Sequence, residues 1–372
     1  MNILFAGGGT GGHLYPAIAL ADALRDRANI CFIGTADRLE ATIVPDAGYR
    51  LVTIASRPLR RSVSLATLQT AAVNTVGIVQ ALRALRAFMP DIVIATGGYV
   101  CFPVMIAAKL LRSIGLLRAR LALVEPNAQP GLTNRLLAPF VDEVWGAFAQ
   151  SDPRFGGKYV HTGVPVRGSL FHPHNRIEAA RRLGLDPNRK TIVAIGGSQG
   201  ARSINETVAA LVTRRALPPE WQILHVSGER DYAYMQAEER APFGDNRVVL
   251  VPYVRDMADA YALAELVIAR AGASTLGELA ALGLPSVLVP YPFAAEDHQT
   301  ANARAFESAG AAVLIADRDL DADRVWWSLR EVMEPARLQR MREAARSLAV
   351  RDPVATILAR IDVLASRKTA AA

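Results

Sequence analysis

Gly7-Gly8-Gly9-Thr10-Gly11-Gly12-His13 follows directly on the apolar run Asn2-Ile3-Leu4-Phe5-Ala6. Gly196-Gly197-Ser198-Gln199-Gly200-Ala201-Arg202 follows in the same way on Thr191-Ile192-Val193-Ala194-Ile195. Each stretch reads as a strand, a tight glycine turn and a helix start. That arrangement aims bare backbone N–H groups and the positive end of a helix at an anion, usually a phosphate. Finding it twice, about half a chain apart, predicts an α/β protein of two doubly wound halves facing one ligand across a cleft.

Outward from these turns, strand and helix signals alternate. The first half predicts strands at 2–6, 30–33, 51–54, 91–96, 121–124 and 143–145, with helices at 16–25, 65–88 and 103–111. The pattern pauses around His161-Thr162-Gly163-Val164-Pro165-Val166-Arg167. It resumes with a charged helix at 176–183 and strands at 191–195, 221–227, 248–252, 266–269, 286–289 and 312–315. Such alternation belongs to parallel sheets covered on both faces. It predicts a first domain over 1–166, a second over 167–352, and a last helix, 353–368, that packs back on the first.

At 372 residues the chain can hold two cores, and 51% hydrophobic against 21% charged residues excludes a disordered chain. The net charge of +7 favours anionic partners. Nucleic acid is not expected among them: there is no zinc-finger spacing, no aromatic-and-glycine RNA-recognition pattern and no long Lys/Arg block. Cys31 and Cys101 sit in apolar, strand-like runs and read as buried small hydrophobes of a reducing compartment. The N-terminus enters a strand at once, which gives no signal-peptide pattern. The uncharged stretch between Arg61 and Arg83 is broken by Ser62, Ser64, Thr67, Gln69, Thr70 and Asn74. It predicts a surface helix with an apolar side rather than a transmembrane span.

Gly7-x-Gly9-x-x-Gly12 satisfies the dinucleotide fingerprint, but strand two ends Phe32-Ile33-Gly34-Thr35 without an acid for a ribose, and Asp37 comes late. A nicotinamide enzyme is therefore disfavoured. His13 stands at a positive helix end, which favours the neutral imidazole, able to take a proton from an attacking hydroxyl. The alternative is a histidine that only bonds the turn. Arg270-Ala271-Gly272-Ala273-Ser274-Thr275-Leu276-Gly277-Glu278 opens a helix after another strand, and its start can face a nucleotide's pyrophosphate. Glu278 can then accept two hydrogen bonds from a ribose diol; alternatively Thr275-x-x-Glu278 is a capping box and Glu278 is structural. Pro290-Tyr291-Pro292-Phe293 leads to Asp297-His298-Gln299-Thr300-Ala301-Asn302. Those amides and that imidazole suit sugar hydroxyls, or make a solvated helix start.

These motifs, with Thr96-Gly97-Gly98-Tyr99-Val100, Glu125-x-Asn127, Gly131-Leu132-Thr133-Asn134 and Gly163-x-Pro165-Val166-Arg167, resemble those of the MurG family in order along nearly the whole chain. That family consists of inverting transferases that move GlcNAc from UDP-GlcNAc to the lipid-linked MurNAc-pentapeptide of peptidoglycan synthesis. The resemblance implies the GT-B fold, with the donor mainly on the C-terminal domain. It implies Ser198, Gln199 and Gly200 at the diphosphate, Arg167 near the nucleotide, and Val254 beside the uracil. Ala273, Ser274, Thr275 and Leu276 would hold phosphate and ribose, Glu278 the ribose hydroxyls, and His298 and Gln299 the GlcNAc hydroxyls. From the first domain, Thr10, Gly11, Gly12 and Asn127 would close over the sugar. Two places depart from the family pattern: Cys101-Phe102-Pro103 stands for Ser-Gly-Pro, and Val124-Glu125-Pro126-Asn127 for His-Glu-Gln-Asn. The second departure is expected to take a histidine out of the cleft, leaving His13 as general base with Glu125 behind it.

The chemistry so implied is one in-line displacement by the acceptor's C4 hydroxyl, with no metal ion or other cofactor; no Asp-x-Asp motif lines the donor loops. The acceptor is a lipid, which places the enzyme as a peripheral protein on the cytoplasmic face of the inner membrane. Arg57, Arg60, Arg61, Arg83 and Arg86 flank the apolar segment Leu65–Phe88 and form the expected contact with an anionic membrane surface. The alternative is a helix packed on its own sheet with a basic outer face. Rival functions are another GT-B enzyme on a UDP-sugar, such as a lipid glycosyltransferase or a UDP-GlcNAc epimerase, and a non-catalytic nucleotide-sugar-binding protein. No protein partner is legible.

Overall fold

The computed structural model describes residues 1–9, 11–58, 65–149, 152–166, 170, 174–197, 200–238 and 247–369. Thr10, Arg60, Arg61, Arg167, Ser198 and Gln199 lie outside them. The chain divides into two compact units, Met1–Arg167 with Asp352–Ala372, and Gly168–Arg351.

The first unit runs β1 (Asn2–Gly7), α1 (Gly11–Leu24), β2 (Asn29–Gly34), α2 (Glu40–Asp46), β3 (Arg50–Thr53) and α3 (Leu65–Phe88). It continues with β4 (Ile92–Gly97), α4 (Cys101–Ser113), β5 (Arg120–Glu125), α5 (Leu132–Leu137), β6 (Glu143–Gly146) and β7 (Tyr159–His161). Its sheet has the order β3-β2-β1-β4-β5-β6-β7 with every pair parallel. The order reverses between β1 and β4, and at such a switch point the turns that follow the two strands face each other. Successive residues of β1 point to opposite faces. Ile3 and Phe5 pack with α1, whereas Leu4 and Ala6 pack with α4 and the end of α3.

The second unit runs α6 (Arg176–Leu183), β8 (Lys190–Ile195), α7 (Arg202–Arg214), β9 (Trp221–Val226), α8 (Glu229–Glu238), β10 (Arg247–Val251) and α9 (Met257–Leu263). Then come β11 (Ala264–Ala269), α10 (Ala273–Leu282), β12 (Ser286–Leu288), α11 (His298–Ser308), β13 (Ala312–Leu314), α12 (Ala322–Val332) and α13 (Pro335–Ser347). Its parallel sheet is ordered β10-β9-β8-β11-β12-β13, with the switch point between β8 and β11. The predicted strands therefore lie where expected to within two residues; β7, only three residues long, is an addition.

The last helix, α14 (Pro353–Thr369), belongs to the first unit. Its Ile357, Ile361 and Leu364 are fully buried in the same core as Leu14, Leu20 and Leu24 of α1. Arg360 donates to the buried Glu143 of β6, whose carboxylate also takes the Trp145 indole N–H at 2.9 Å. Arg27 meets Asp362 at 2.8 Å.

Candidate active site

In the first unit the β1–α1 turn is locked into the β4–α4 turn. Gly97 and Gly98 adopt φ of +117° and +88°, a region closed to side chains for a second reason here: a Cβ on Gly97 would lie 2.4 Å from the His13 ring, and one on Gly98 2.3 Å from the Gly8 carbonyl oxygen. His13 is half-buried in the first turn of α1, with Nδ1 3.4 Å from the Gly8 carbonyl. Three residues on, Pro16 has no N–H to return to the Gly12 carbonyl, which loosens the helix ladder beside the histidine. Cys101 opens α4, and its thiol faces the carbonyls of Ala6 and Gly97 at 3.2 and 3.1 Å. It thus spans the ends of β1 and β4 as a serine hydroxyl would; burial pushes its pKa up to about 12. Cys31 is buried as well, as expected of both.

The first glycine turn does not hold all of its N–H groups open: that of Gly9 is taken from within the fold. Glu40, 1% exposed at the start of α2, accepts the Gly9 N–H at 2.9 Å and the Thr35 N–H and hydroxyl at 3.0 and 2.8 Å. The acid looked for at the end of β2 is therefore present, five residues past Thr35, and it faces inward under the turn. Asp37, the acid weighed from the sequence, is exposed. The sequence reasoning missed Glu40 because Asp37-Arg38-Leu39-Glu40 carries no signal separating a surface charge from a buried one.

Glu125 ends β5 and is 2% exposed. One oxygen accepts the Asn127 N–H and side-chain amide at 3.0 and 3.3 Å; the other accepts the Gly131 N–H and the Asn134 amide at 3.3 and 2.8 Å. Its carboxyl thus shapes the loop that carries Asn127. Burial raises its pKa to about 7 against these donors, which pull it down. Val124, which stands where the family pattern has a histidine, is 2% exposed and packed in the core with α1 and α14.

In the second unit the described candidate residues follow the ends of β8, β10, β11 and β12, with the 273–278 helix start beside the switch point. Gly197 and Gly200 have φ of +87° and +73°, and a Cβ on Gly200 would lie 2.3 Å from the Ser227 carbonyl oxygen. Ala201 precedes α7 and Gly272 precedes α10, and neither helix has a side-chain cap. Ser274 keeps its hydroxyl, buried without a hydrogen-bond partner, in the first turn of α10. Since Gly272 is the N-cap, Thr275 is the third helical residue, which disposes of the capping-box alternative. Glu278, 9% exposed, is instead fixed by the Tyr261 hydroxyl of α9 at 2.8 Å, a pairing between helices that no local sequence pattern signals.

Arg270 ties this edge together. It donates to the carbonyls of Val289 and Pro290 at 3.1 Å each, to Asp317 and to the Ser203 hydroxyl of α7, and lies over the Tyr291 ring. Gln299 accepts the Tyr291 N–H at 3.0 Å, so part of its amide holds the loop. His298 Nδ1 lies 2.7 Å from the Ala295 carbonyl, a distance that fits an Nδ1–H donor and leaves Nε2 as the acceptor. Asn302, fully buried, holds the Ala271 carbonyl at 3.1 Å, and Val254 is buried.

Comparison with known proteins agrees with both halves. Residues 3–145 match the glycosyltransferase family 28 N-terminal domain, and residues 191–357 its C-terminal domain. The chain is thus a glycosyltransferase of two Rossmann-like domains, the GT-B class. It is 40% identical over 360 residues to the UDP-N-acetylglucosamine–N-acetylmuramyl-(pentapeptide) pyrophosphoryl-undecaprenol N-acetylglucosamine transferase of Caldanaerobacter subterraneus, covering 95% of this chain and 96% of that protein. The protein of the same name from Carboxydothermus hydrogenoformans is 38% identical over 99% of both chains. The crystal structure of Acinetobacter baumannii MurG matches with a TM-score of 0.78 at 26% identity, over 97% of this chain and 99% of that one. The chain belongs to the MurG family.

The Glu125 carboxyl generates a pH dependence. Its folded-state pKa, about 7, lies above the ordinary value of 4.5, so the folded protein keeps a proton that the unfolded chain has lost between those values. Its contribution therefore falls as pH rises from about 4.5 to 7 and is flat above. Melting temperatures of wild type and Glu125→Gln, measured from pH 4.5 to 8.5, are expected to differ by an amount that changes through this window. A pH-independent difference would show that the carboxyl is not desolvated.

Proposed function

We propose that this chain transfers GlcNAc from UDP-GlcNAc to the C4 hydroxyl of MurNAc in undecaprenyl-pyrophosphoryl-MurNAc-pentapeptide, a step of peptidoglycan synthesis, with inversion at the anomeric carbon. The hydroxyl oxygen attacks the anomeric carbon as the bond to UDP breaks; the electron pair leaves on the β-phosphate oxygen and the hydroxyl proton goes to a protein base. The observation that carries the donor assignment is the first turn of α10. Its N-terminus has no side-chain cap, and Glu278 stands one turn on, braced by Tyr261. Such a helix end favours the diphosphate, and the carboxylate can take both ribose hydroxyls.

On this reading Ser198, Gln199 and Gly200 receive the diphosphate with Ala273–Leu276, and Arg167 and Val254 border the nucleotide. His298 Nε2 and Gln299 serve the GlcNAc hydroxyls, and Thr10, Gly11, Gly12 and Asn127 serve the sugar from the first unit. Backbone N–H groups and helix ends hold the charge that develops on UDP. His13 is the base, because its ring is held from one side by the Gly8–Gly9 turn and Gly97. Glu125, with both oxygens occupied inside its loop, acts as the positioner of Asn127 rather than as the base.

The same reading places the protein peripherally on the cytoplasmic face of the inner membrane. Among the described residues no helix is long and apolar enough to cross a membrane. α3 packs Ala81 and Leu85 into the core yet leaves Leu68, Val76 and Val79 68%, 51% and 44% exposed, with Arg83 and Arg86 exposed along the same face. Apolar side chains beside arginines suit an anionic lipid surface.

Release of UDP from UDP-GlcNAc should require the lipid-linked acceptor; release without it would favour an epimerase, and none with it a binding protein. Glu278→Ala should raise the donor KM tenfold or more, since charge-assisted hydrogen bonds are worth roughly 1.5–3 kcal/mol each. Tyr261→Phe should raise it about fivefold, for one hydrogen bond of about 1 kcal/mol. A donor KM unchanged in folded Glu278→Ala removes the ribose assignment. His13→Ala should lower kcat by about 10²–10⁴-fold, the range of a lost general base; near-normal turnover would sink that role. Arg83→Glu with Arg86→Glu should weaken binding to phosphatidylglycerol vesicles tenfold or more, each basic residue being worth about 1 kcal/mol. Equal binding by wild type and variant in a sedimentation assay would dismiss α3 as the membrane contact.

A further inference from the structure

The peptide group between Gly8 and Gly9 stands between a buried acid and the proposed base. Its N–H donates to Glu40 Oε2 at 2.9 Å, and its carbonyl oxygen lies 3.4 Å from His13 Nδ1. The other Glu40 oxygen is held by the Thr35 N–H and hydroxyl at 3.0 and 2.8 Å, so the carboxylate cannot swing away without leaving three donors unmatched. The packing around it has no slack. A Cβ on Gly8 would lie 2.3 Å from the carboxylate, one on Gly34 2.6 Å from Glu40 Cγ, and one on Gly98 2.3 Å from the Gly8 carbonyl oxygen. One amide plane is clamped between a carboxylate and an imidazole, and the neighbouring positions have no room for a side chain.

We propose that Glu40 is a positioning residue for His13 and acts through the Gly8–Gly9 amide; this rests on His13 being the base. An N–H bonded to an anion polarises its amide and makes the carbonyl oxygen a stronger acceptor. That favours the His13 tautomer with its proton on Nδ1 and leaves Nε2 free of a proton to receive the one from the acceptor hydroxyl. The effect is that of a carboxylate bonded directly to a catalytic imidazole, with one amide interposed. It also explains why a turn with the dinucleotide spacing sits here without serving a dinucleotide: the Gly9 N–H that would meet a phosphate already meets Glu40, and the buried negative charge opposes a second anion.

The test is a set of variants assayed with saturating and varied UDP-GlcNAc. Glu40→Gln keeps the size and turns one acceptor into a donor facing either the Gly9 N–H or the Thr35 pair. It is expected to lower kcat about tenfold or more while the donor KM stays within about threefold. Thr35→Val keeps the carboxylate in place and removes one of its donors; about a two- to fivefold loss confined to kcat is expected, and this variant decides the matter if Glu40→Gln does not fold. In a His13→Ala background Glu40→Gln should cost nothing further, because residues that act as a unit are non-additive. Full additivity in the double variant overturns the proposal and leaves the role of His13 intact. An unchanged kcat in folded Glu40→Gln, or in Thr35→Val, overturns it as well. A normal His13→Ala enzyme beside an impaired Glu40→Gln overturns the role of His13 and the proposal together.

Discussion

At the carboxyl edge of a parallel sheet each strand hands over to a helix through a turn whose N–H groups have no strand to pair with. The two units give different examples of how such donors are met, although helices without side-chain caps occur in both, α4 and α5 in the first and α7 and α10 in the second. In the first, buried carboxylates take some of these donors: Glu40 under the β1–α1 turn and Glu125 inside the β5–α5 loop. In the second, α7 and α10 begin without side-chain caps, and the Ser274 hydroxyl is buried without a partner. Two glycine turns that read alike in sequence thus differ in one respect: the Gly9 N–H of the first meets a carboxylate from within the fold, whereas the second leads into α7, which has no side-chain cap.

Within each unit the connections at the sheet edge are fixed by polar groups as well as by the apolar core. Arg270 links three strand-to-helix connections of the second unit through two carbonyls, a carboxylate and a hydroxyl. In the first unit the turns after β1 and β4 are so close that glycine at 97 and 98 is a steric requirement on top of a conformational one. A site assembled this way tolerates little drift, since moving one turn leaves buried donors or acceptors unmatched in the next.

The fold was legible because its signals are local. Short apolar runs, glycine turns and helix starts alternate on either side of the pause at 161–167, and every strand but one could be placed from its own residues. β7 escaped because Tyr159–His161 is too short to show a period. The donor-side residues at 273–278 were legible as a helix opening after a strand, but the choice between ribose ligand and capping box needed the helix boundary, which propensity does not fix. Glu40, Tyr261 and Arg270 were not read as partners of the site, because their roles come from pairings across the sheet or between helices; Glu40 and Gly9 are 31 residues apart, Arg270 and Asp317 47. Val124, which stands where the family pattern has a histidine, is buried in the core of the first unit.

The return of α14 to the first unit has a consequence for how the protein is made. Ile357, Ile361 and Leu364 complete the apolar layer over α1, yet they are synthesised after the whole second unit. A chain emerging from the ribosome therefore carries an N-terminal half whose sheet is finished but whose outer layer is missing, with Leu14, Leu20 and Leu24 short of their cover. The second unit, contiguous in sequence, has no such wait. The half encoded first is the half completed last, and its exposed apolar seam is a natural point for chaperone attention during translation.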